Sequence, residues 1–232
     1  MSASHESDAA LDPAVALDQA KARARKIKII LFDVDGVLTD GTIWVVPTGA
    51  PAGPKKPETA DNTGDGGFGL QSETMGEAKG FSAHDGMGVS LAKIAGLKVG
   101  FITKRVSEAV KTRARDLKLD YLYMGQAHKM QAIRQIMQQS GVALDEIAYA
   151  GDDIVDLPVL RVCGLAIAPA NARQEVLDTA HYITSNPGGF GAGRDAIEFI
   201  LNSRGILEDI VEKYIDEDNP ISAASDIGTG NM

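Results

Sequence analysis

Six short apolar runs, most of them followed within a few residues by a helical pattern, constrain this 232-residue chain more than any other feature. They are Ile27–Asp33, Lys98–Thr103, Tyr121–Tyr123, Ile147–Ala150, Leu165–Ala168 and Tyr182–Thr184. The first is apolar without alternation, the pattern of a strand covered on both faces, as in a parallel sheet. Helical stretches follow the later runs at Ser107–Leu117, Ile154–Val162, Asn171–Thr179 and Ala192–Asn202, and at Gln126–Gln139 with Met130, Ile133 and Met137 on one stripe. A modest stripe of Val15, Leu17, Ala20 and Ala24 precedes the first run over Pro13–Lys26. This alternation predicts an α/β protein built on a doubly wound parallel sheet, whose ligands sit at the carboxyl ends of the strands.

Pro47–Gly76 interrupts the rhythm. It holds four of the nine prolines and is rich in Gly, Thr, Lys and Asp, so it buries too little to fold alone. Its flanks Thr42–Val46 and Glu77–Phe81 are expected to pair as a hairpin, with 47–76 as a flexible insertion at its tip. Gly64-Asp-Gly66-Gly-Phe-Gly69 matches a dinucleotide-binding fingerprint, but it neither follows a buried strand nor opens a helix and reads as loop. Residues 1–10 and the acidic segment 216–232 are expected to be disordered, leaving 11–215 as the folded domain.

The formal net charge of -9 argues against a nucleic-acid surface, which needs clustered Lys and Arg. A small anionic substrate remains compatible. The single Cys163 allows no internal disulfide and fits a reducing compartment. No apolar run approaches a membrane span. The first residues lack the basic and apolar regions of a secretory signal, so a cytoplasmic protein is expected.

Chemistry-bearing residues recur where the strands end. Asp33 and Asp35 close the first run, and period-two alternation would point both to one side. Two carboxylates held together need a cation or a shared proton. A calcium loop is excluded because its fifth and twelfth positions are Val37 and Trp44. Thr103 ends the second run. Lys129 stands near a helix start, where the dipole disfavours it. After the fourth run comes Gly151-Asp152-Asp153-Ile-Val-Asp156, with Asp152 and Asp156 spaced for one helical face.

In this order and placement the chain resembles the haloacid dehalogenase superfamily of phosphatases and phosphotransferases, over about Ile27 to Ile200. Asp33-Val-Asp-Gly-Val-Leu-Thr-Asp-Gly41, Phe81-Ser-Ala-His-Asp-Gly86, Tyr123-Met-Gly-Gln126, Gly151 to Val159 and Gly188-Gly-Phe-Gly-Ala-Gly-Arg194 are similar to the branch acting on phosphorylated 2-keto-3-deoxy sugar acids such as 3-deoxy-D-manno-octulosonate 8-phosphate. The resemblance implies a Rossmann-like sheet with a small β-hairpin flap and no large cap domain, assembled as a homotetramer. It implies Asp33 as nucleophile, Asp35 as general acid and base, and Thr103 and Lys129 as phosphate-binding groups. Mg²⁺ would be held by Asp33, the Asp35 backbone carbonyl and Asp152, while Asp153 or Asp156 holds metal-bound water or orients Lys129. Ser82, His84, Asp85, Gly86, Lys104, Arg105 and Arg194, with Asp35 and Lys129, would contact the substrate. Two departures stand out: Lys104 replaces a glycine usual in relatives, and His84 stands where an arginine is usual. The same chemistry on another sugar phosphate, or a non-catalytic assembly role, are the alternative readings.

Overall fold

The computed structural model describes residues 12–48, 68–70, 72 and 74–216. In chain order the elements are α1 (Pro13–Ala24), β1 (Ile29–Phe32), β2 (Trp44–Pro47), β3 (Met75–Ala78), α2 (Ala83–Ile94), β4 (Lys98–Ile102), α3 (Glu108–Asp116), β5 (Tyr121–Tyr123) and α4 (Lys129–Ser140). There follow β6 (Ile147–Ala150), α5 (Leu157–Leu160), β7 (Leu165–Ala168), α6 (Gln174–Leu177), β8 (Tyr182–Ile183), α7 (Ala192–Ser203) and α8 (Leu207–Ile215). Six strands form a parallel sheet in the order β5-β4-β1-β6-β7-β8, and β2 pairs antiparallel with β3 as a separate hairpin.

β1 lies between β4 and β6, with Phe32 in register with Phe101 on one side and Ala150 on the other. From β1 the chain moves outward through β4 and β5, then crosses back to β6 and runs outward the other way. The strand order therefore reverses beside β1, and the crevice at its carboxyl end is the position where doubly wound sheets bind ligands.

Alternation within the short strands fills two cores. Ile30 and Phe32 face α1, α2 and α7, packing among Ala20, Val89, Leu91, Phe101, Ile197 and Ile200. Ile29 and Leu31 face the other layer, with Ile102, Tyr149, Ile133, Ile136 and Leu160. Every residue of β1, β6 and β7 is buried. At about 1.5–3 kcal/mol per fully buried Ile, Leu or Phe side chain, this two-sided burial supports strands only four residues long.

The predicted alternation is present, with shifts that have local causes. α4 begins at Lys129 rather than Gln126, because Gly125 takes a φ of 71° and the Gln126 amide donates to Thr103 O at 3.0 Å. The predicted helix at Ile154–Val162 is a 3₁₀ turn, Ile154–Asp156, followed by α5. The hairpin forms between Trp44–Pro47 and Met75–Ala78, a residue or two away from the expected pairing. α8, not anticipated, buries Ile210 in the first core. Of the predicted disordered ends, 1–10 and 217–232 lie outside the described residues, as does most of the 47–76 insertion, including Gly64 and Gly66; Asp216 is the C-cap of α8.

Candidate active site

β1 ends at Phe32 and delivers Asp33 into the crevice, where its amide still donates to Ala150 O at 2.9 Å. The backbone then turns, with the amides of Val37, Leu38 and Thr39 all donating to Val34 O. Asp33 and Asp35 therefore do not share one strand face, as period-two alternation had predicted. Asp33 faces inward and Asp35 faces the hairpin.

Inside, five side chains converge: Asp33, Lys129, Tyr149, Asp152 and Asp156. Lys129 Nζ lies 2.9 Å from Asp33 Oδ1 and 2.6 Å from Asp156 Oδ1. Asp156 Oδ1 also accepts from Tyr149 Oη at 2.7 Å, and its Oδ2 accepts the amides of Asp152 and Asp153 at 3.1 and 3.3 Å. The expected common helical face of Asp152 and Asp156 is thus a tight turn whose last carboxylate folds back onto its own start. Carboxylate oxygens of Asp33, Asp152 and Asp156 lie within 4.8 Å of one another.

This arrangement strains the ionised carboxylates. Burial foremost pushes the Asp33 carboxyl up to about 7, with Lys129 opposing and Asp156 adding to the rise. Burial, then Asp33 and Asp156, pushes Asp152 up to about 8. Lys129 is raised: its burial acts to lower it, and the attraction of Asp33 and Asp156 outweighs that. Asp152 Oδ1 is buried without a hydrogen-bond partner. Asp156 is occupied by Lys129, Tyr149 and two amides, so Asp33 and Asp152 are the carboxylates free to take a cation. Their burial, mutual repulsion and orphaned oxygen fit a divalent ion, which would reverse the pKa shifts. Gly36, at φ 92°, leaves room for this: an added Cβ would collide with the Asp152 carboxylate.

Among the other predicted residues, Thr103 is buried, and its Oγ1 accepts the Arg105 amide at 3.2 Å. Asp153 is exposed and caps Ile154 N with its own carboxylate. Asp35 is held from outside by an ion pair with Lys79, and its Oδ2 lies 3.7 Å from Arg105 Nε. Glu77 joins the two cations, with Oε1 at 3.6 Å from Lys79 Nζ and Oε2 at 3.6 Å from Arg105 Nη1. Sequence reasoning missed Glu77 and Lys79. Their spacing of two at the end of β3 puts them on one face, but nothing local said that this face turns inward. Lys104 and Arg105 flank the ring of Phe68, with Nζ 5.7 Å and Cζ 4.7 Å from its centroid.

The segment predicted to face the sugar sits at the junction of α2, α3 and α7. Ser82 is the N-cap of α2, its Oγ accepting the amide of the exposed His84 at 3.2 Å. Asp85 reaches α7, accepting Arg194 N at 2.9 Å, and burial foremost pushes it up to about 6. Gly86 makes way for Arg113, whose Nη2 would stand 2.7 Å from an added Cβ. The Arg194 side chain pairs with Glu198 one turn on.

A doubly wound sheet that presents buried carboxylates around a lysine at its switch point defines a class, and the comparison bears on it directly. The profile of haloacid dehalogenase-like hydrolases matches residues 100–188, and the chain belongs to that family as a phosphatase. It is 31% identical over 188 residues to the 3-deoxy-D-manno-octulosonate 8-phosphate phosphatase KdsC of Escherichia coli K12, covering 81% of this chain and 86% of that protein. Among solved structures, the corresponding phosphatase of Yersinia pestis superposes with a TM-score of 0.68 at 31% identity, over 82% of this chain and 89% of that one. The Moraxella catarrhalis phosphatase, in complex with a magnesium ion, a phosphate ion and a KDO molecule, gives 0.71 at 29% identity over 85% and 98%.

Proposed function

We propose that this phosphatase hydrolyses the phosphomonoester of a phosphorylated 2-keto-3-deoxy sugar acid, such as 3-deoxy-D-manno-octulosonate 8-phosphate, through an aspartyl-phosphate intermediate. The observation that carries the reading is the set of buried Asp33, Lys129 and Asp156 with half-buried Asp152 at the carboxyl ends of β1 and β6 and the start of α4. An Asp33 carboxylate oxygen attacks phosphorus, and the bond to the sugar oxygen breaks. Asp35 gives its proton to that departing oxygen. Asp35 then takes a proton from water, whose oxygen attacks the phosphorus of the acyl phosphate and frees Asp33. Lys129, fixed by Asp156, places a cation beside the attacked phosphoryl group, and Thr103 supplies a hydroxyl to it.

Asp33, the Asp35 backbone carbonyl and Asp152 would hold Mg²⁺, in line with its preference for few carboxylates and several waters. When bound, the ion neutralises the carboxylates and polarises the phosphoryl oxygens. Lys79 and Arg105 orient Asp35 toward the leaving group. The likeness to the KdsC proteins supports the sugar-acid class, and by the same resemblance we infer a homotetramer, to be read by sedimentation velocity.

The test is phosphate release with Mg²⁺ from a panel of sugar phosphates and sugar acid phosphates, with Asp33→Asn as control. The expected result is selective release by the wild type, with phosphate mass trapped on Asp33 after an acid quench. Equal, slow release by wild type and Asp33→Asn would overturn the mechanism, and preference for a neutral sugar phosphate would overturn the substrate class.

A further inference from the structure

We propose that Phe68, at the returning end of the insertion, is a positioning residue that holds Arg105 over Asp35 and Glu77. The inference rests on the reading of Asp35 as the group that serves the leaving oxygen.

The insertion comes back to the site as a backbone contact. Val106 N donates to Phe68 O at 3.0 Å, and Phe68 and Arg105 form a parallel bridge. The next residue must be small there: a Cβ at Gly69 would collide with the carbonyl oxygen of Val106. This docking sets the Phe68 ring against two cations, Arg105 at 4.7 Å and Lys104 at 5.7 Å. Phe68 remains exposed, at 52%, so hydrophobic burial alone does not account for its place.

Arg105 needs such a support. Its distances of 3.7 Å to Asp35 and 3.6 Å to Glu77 are ion-pair separations, beyond hydrogen-bond range. Coulomb attraction at that distance sets a direction without fixing the plane of the guanidinium. An aromatic face fixes the plane, because guanidinium groups stack on rings as well as attract them. Lys104 adds a second cation to the same ring and so ties the loop after β4 to the insertion. The returning end of the insertion and the loop after β4 thus meet at one aromatic side chain next to Asp35.

The experiment is a double-mutant cycle on kcat and KM with Phe68→Leu and Arg105→Ala, run on the best sugar phosphate of the panel and on p-nitrophenyl phosphate. Phe68→Leu should lower kcat/KM on the sugar phosphate by about two- to fivefold, the range of an exposed cation–aromatic contact. The loss should be smaller on p-nitrophenyl phosphate, whose leaving group needs little help from Asp35. In the Arg105→Ala background Phe68→Leu should cost nothing further, and Phe68→Tyr should restore wild-type rates. Additive losses, or equal losses on both substrates, would overturn the proposal. Gly69→Val supplies a readout without activity: amide exchange at Val106 should quicken, and unchanged exchange would also overturn it. If the wild type hydrolyses p-nitrophenyl phosphate but no sugar phosphate, the substrate reading falls. The cycle on p-nitrophenyl phosphate and the exchange at Val106 then still decide the role of Phe68.

Discussion

Asp156 shows how one side chain can organise a site without facing the substrate. Fully buried, it accepts from Lys129, Tyr149 and the amides of Asp152 and Asp153. Every one of its oxygens is used, so the unrelieved charge falls on Asp33 and Asp152. That imbalance carries a prediction at Asp152. Its raised pKa, about 8, means that folding disfavours its charged form when no cation is bound. The cost is absent below the unfolded value of 3.8 and grows as pH rises toward about 8. At about pH 8 and in a chelator, Asp152→Asn should therefore melt at a higher temperature than the wild type. Added Mg²⁺ should raise the wild-type melting temperature and leave Asp152→Asn nearly unmoved, as differential scanning fluorimetry would read. A variant that loses stability in chelator would count against this account of the cluster. The convergence of Asp33, Lys129 and Asp152 was legible because each comes after an apolar run, and strand ends of a doubly wound sheet converge. The surroundings of Asp35 were not, because Lys79 and Arg105 reach it from separate segments and no periodicity joins them.

At the scale of elements, the junction of α2 with α7 is tied by charge as well as by packing. The Asp85 carboxylate sits at the first turn of α7 and accepts Arg194 N, a favourable place for an anion at a helix start. Its other oxygen is buried without a hydrogen bond, and burial foremost raises its pKa to about 6. The sign is opposite to that of a surface carboxylate. A folded-state pKa above the unfolded 3.8 gives a stabilising contribution that is complete below pH 3.8 and is lost as pH rises through about 6. Asp85→Asn keeps an acceptor for Arg194 N and removes this titration. The denaturant-midpoint difference between variant and wild type should move in favour of the variant between about pH 4 and 6, then level off. A difference that does not change over that window would refute the assignment. The helix that Asp85 caps was readable from its apolar spacing at Ala192–Asn202; the cap itself, 109 residues upstream, was not. The same limit explains α4, where a left-handed Gly125 and a bond to Thr103 delay the helix that the Met130, Ile133 and Met137 stripe announces.

At the scale of the whole molecule, the described residues form a sheet that places its buried carboxylates at one reversal of strand order, and the hairpin reaches that end through Glu77 and Lys79. β2 and β3 close at Thr48 N to Thr74 O, 2.9 Å, so the hairpin itself could be finished by a short turn. Residues 49–73 separate the two strands instead, and of these Phe68 and Gly69 lie against the loop after β4. Because p-nitrophenyl phosphate makes no sugar-side contacts, the segment 47–76 is expected to be dispensable for its hydrolysis. The contacts of Phe68 divide it into two parts with different expected roles. Replacing 49–66 by a short Gly-Ser linker keeps the clamp on Arg105 and should leave hydrolysis of p-nitrophenyl phosphate and of the preferred sugar phosphate unchanged. Replacing 49–73 by a tight turn removes Phe68 as well. It should preserve the fold, read by an unchanged cooperative melt, because the described residues of this segment, Phe68–Leu70 and Ser72, belong to neither core. It should lower kcat/KM on the sugar phosphate by about the two- to fivefold assigned to the Phe68 contact, and by less on p-nitrophenyl phosphate. Equal kinetics for the two replacements would show that the hairpin and its ion pairs to Asp35 are sufficient, and that the returning end of the insertion does not act on the site.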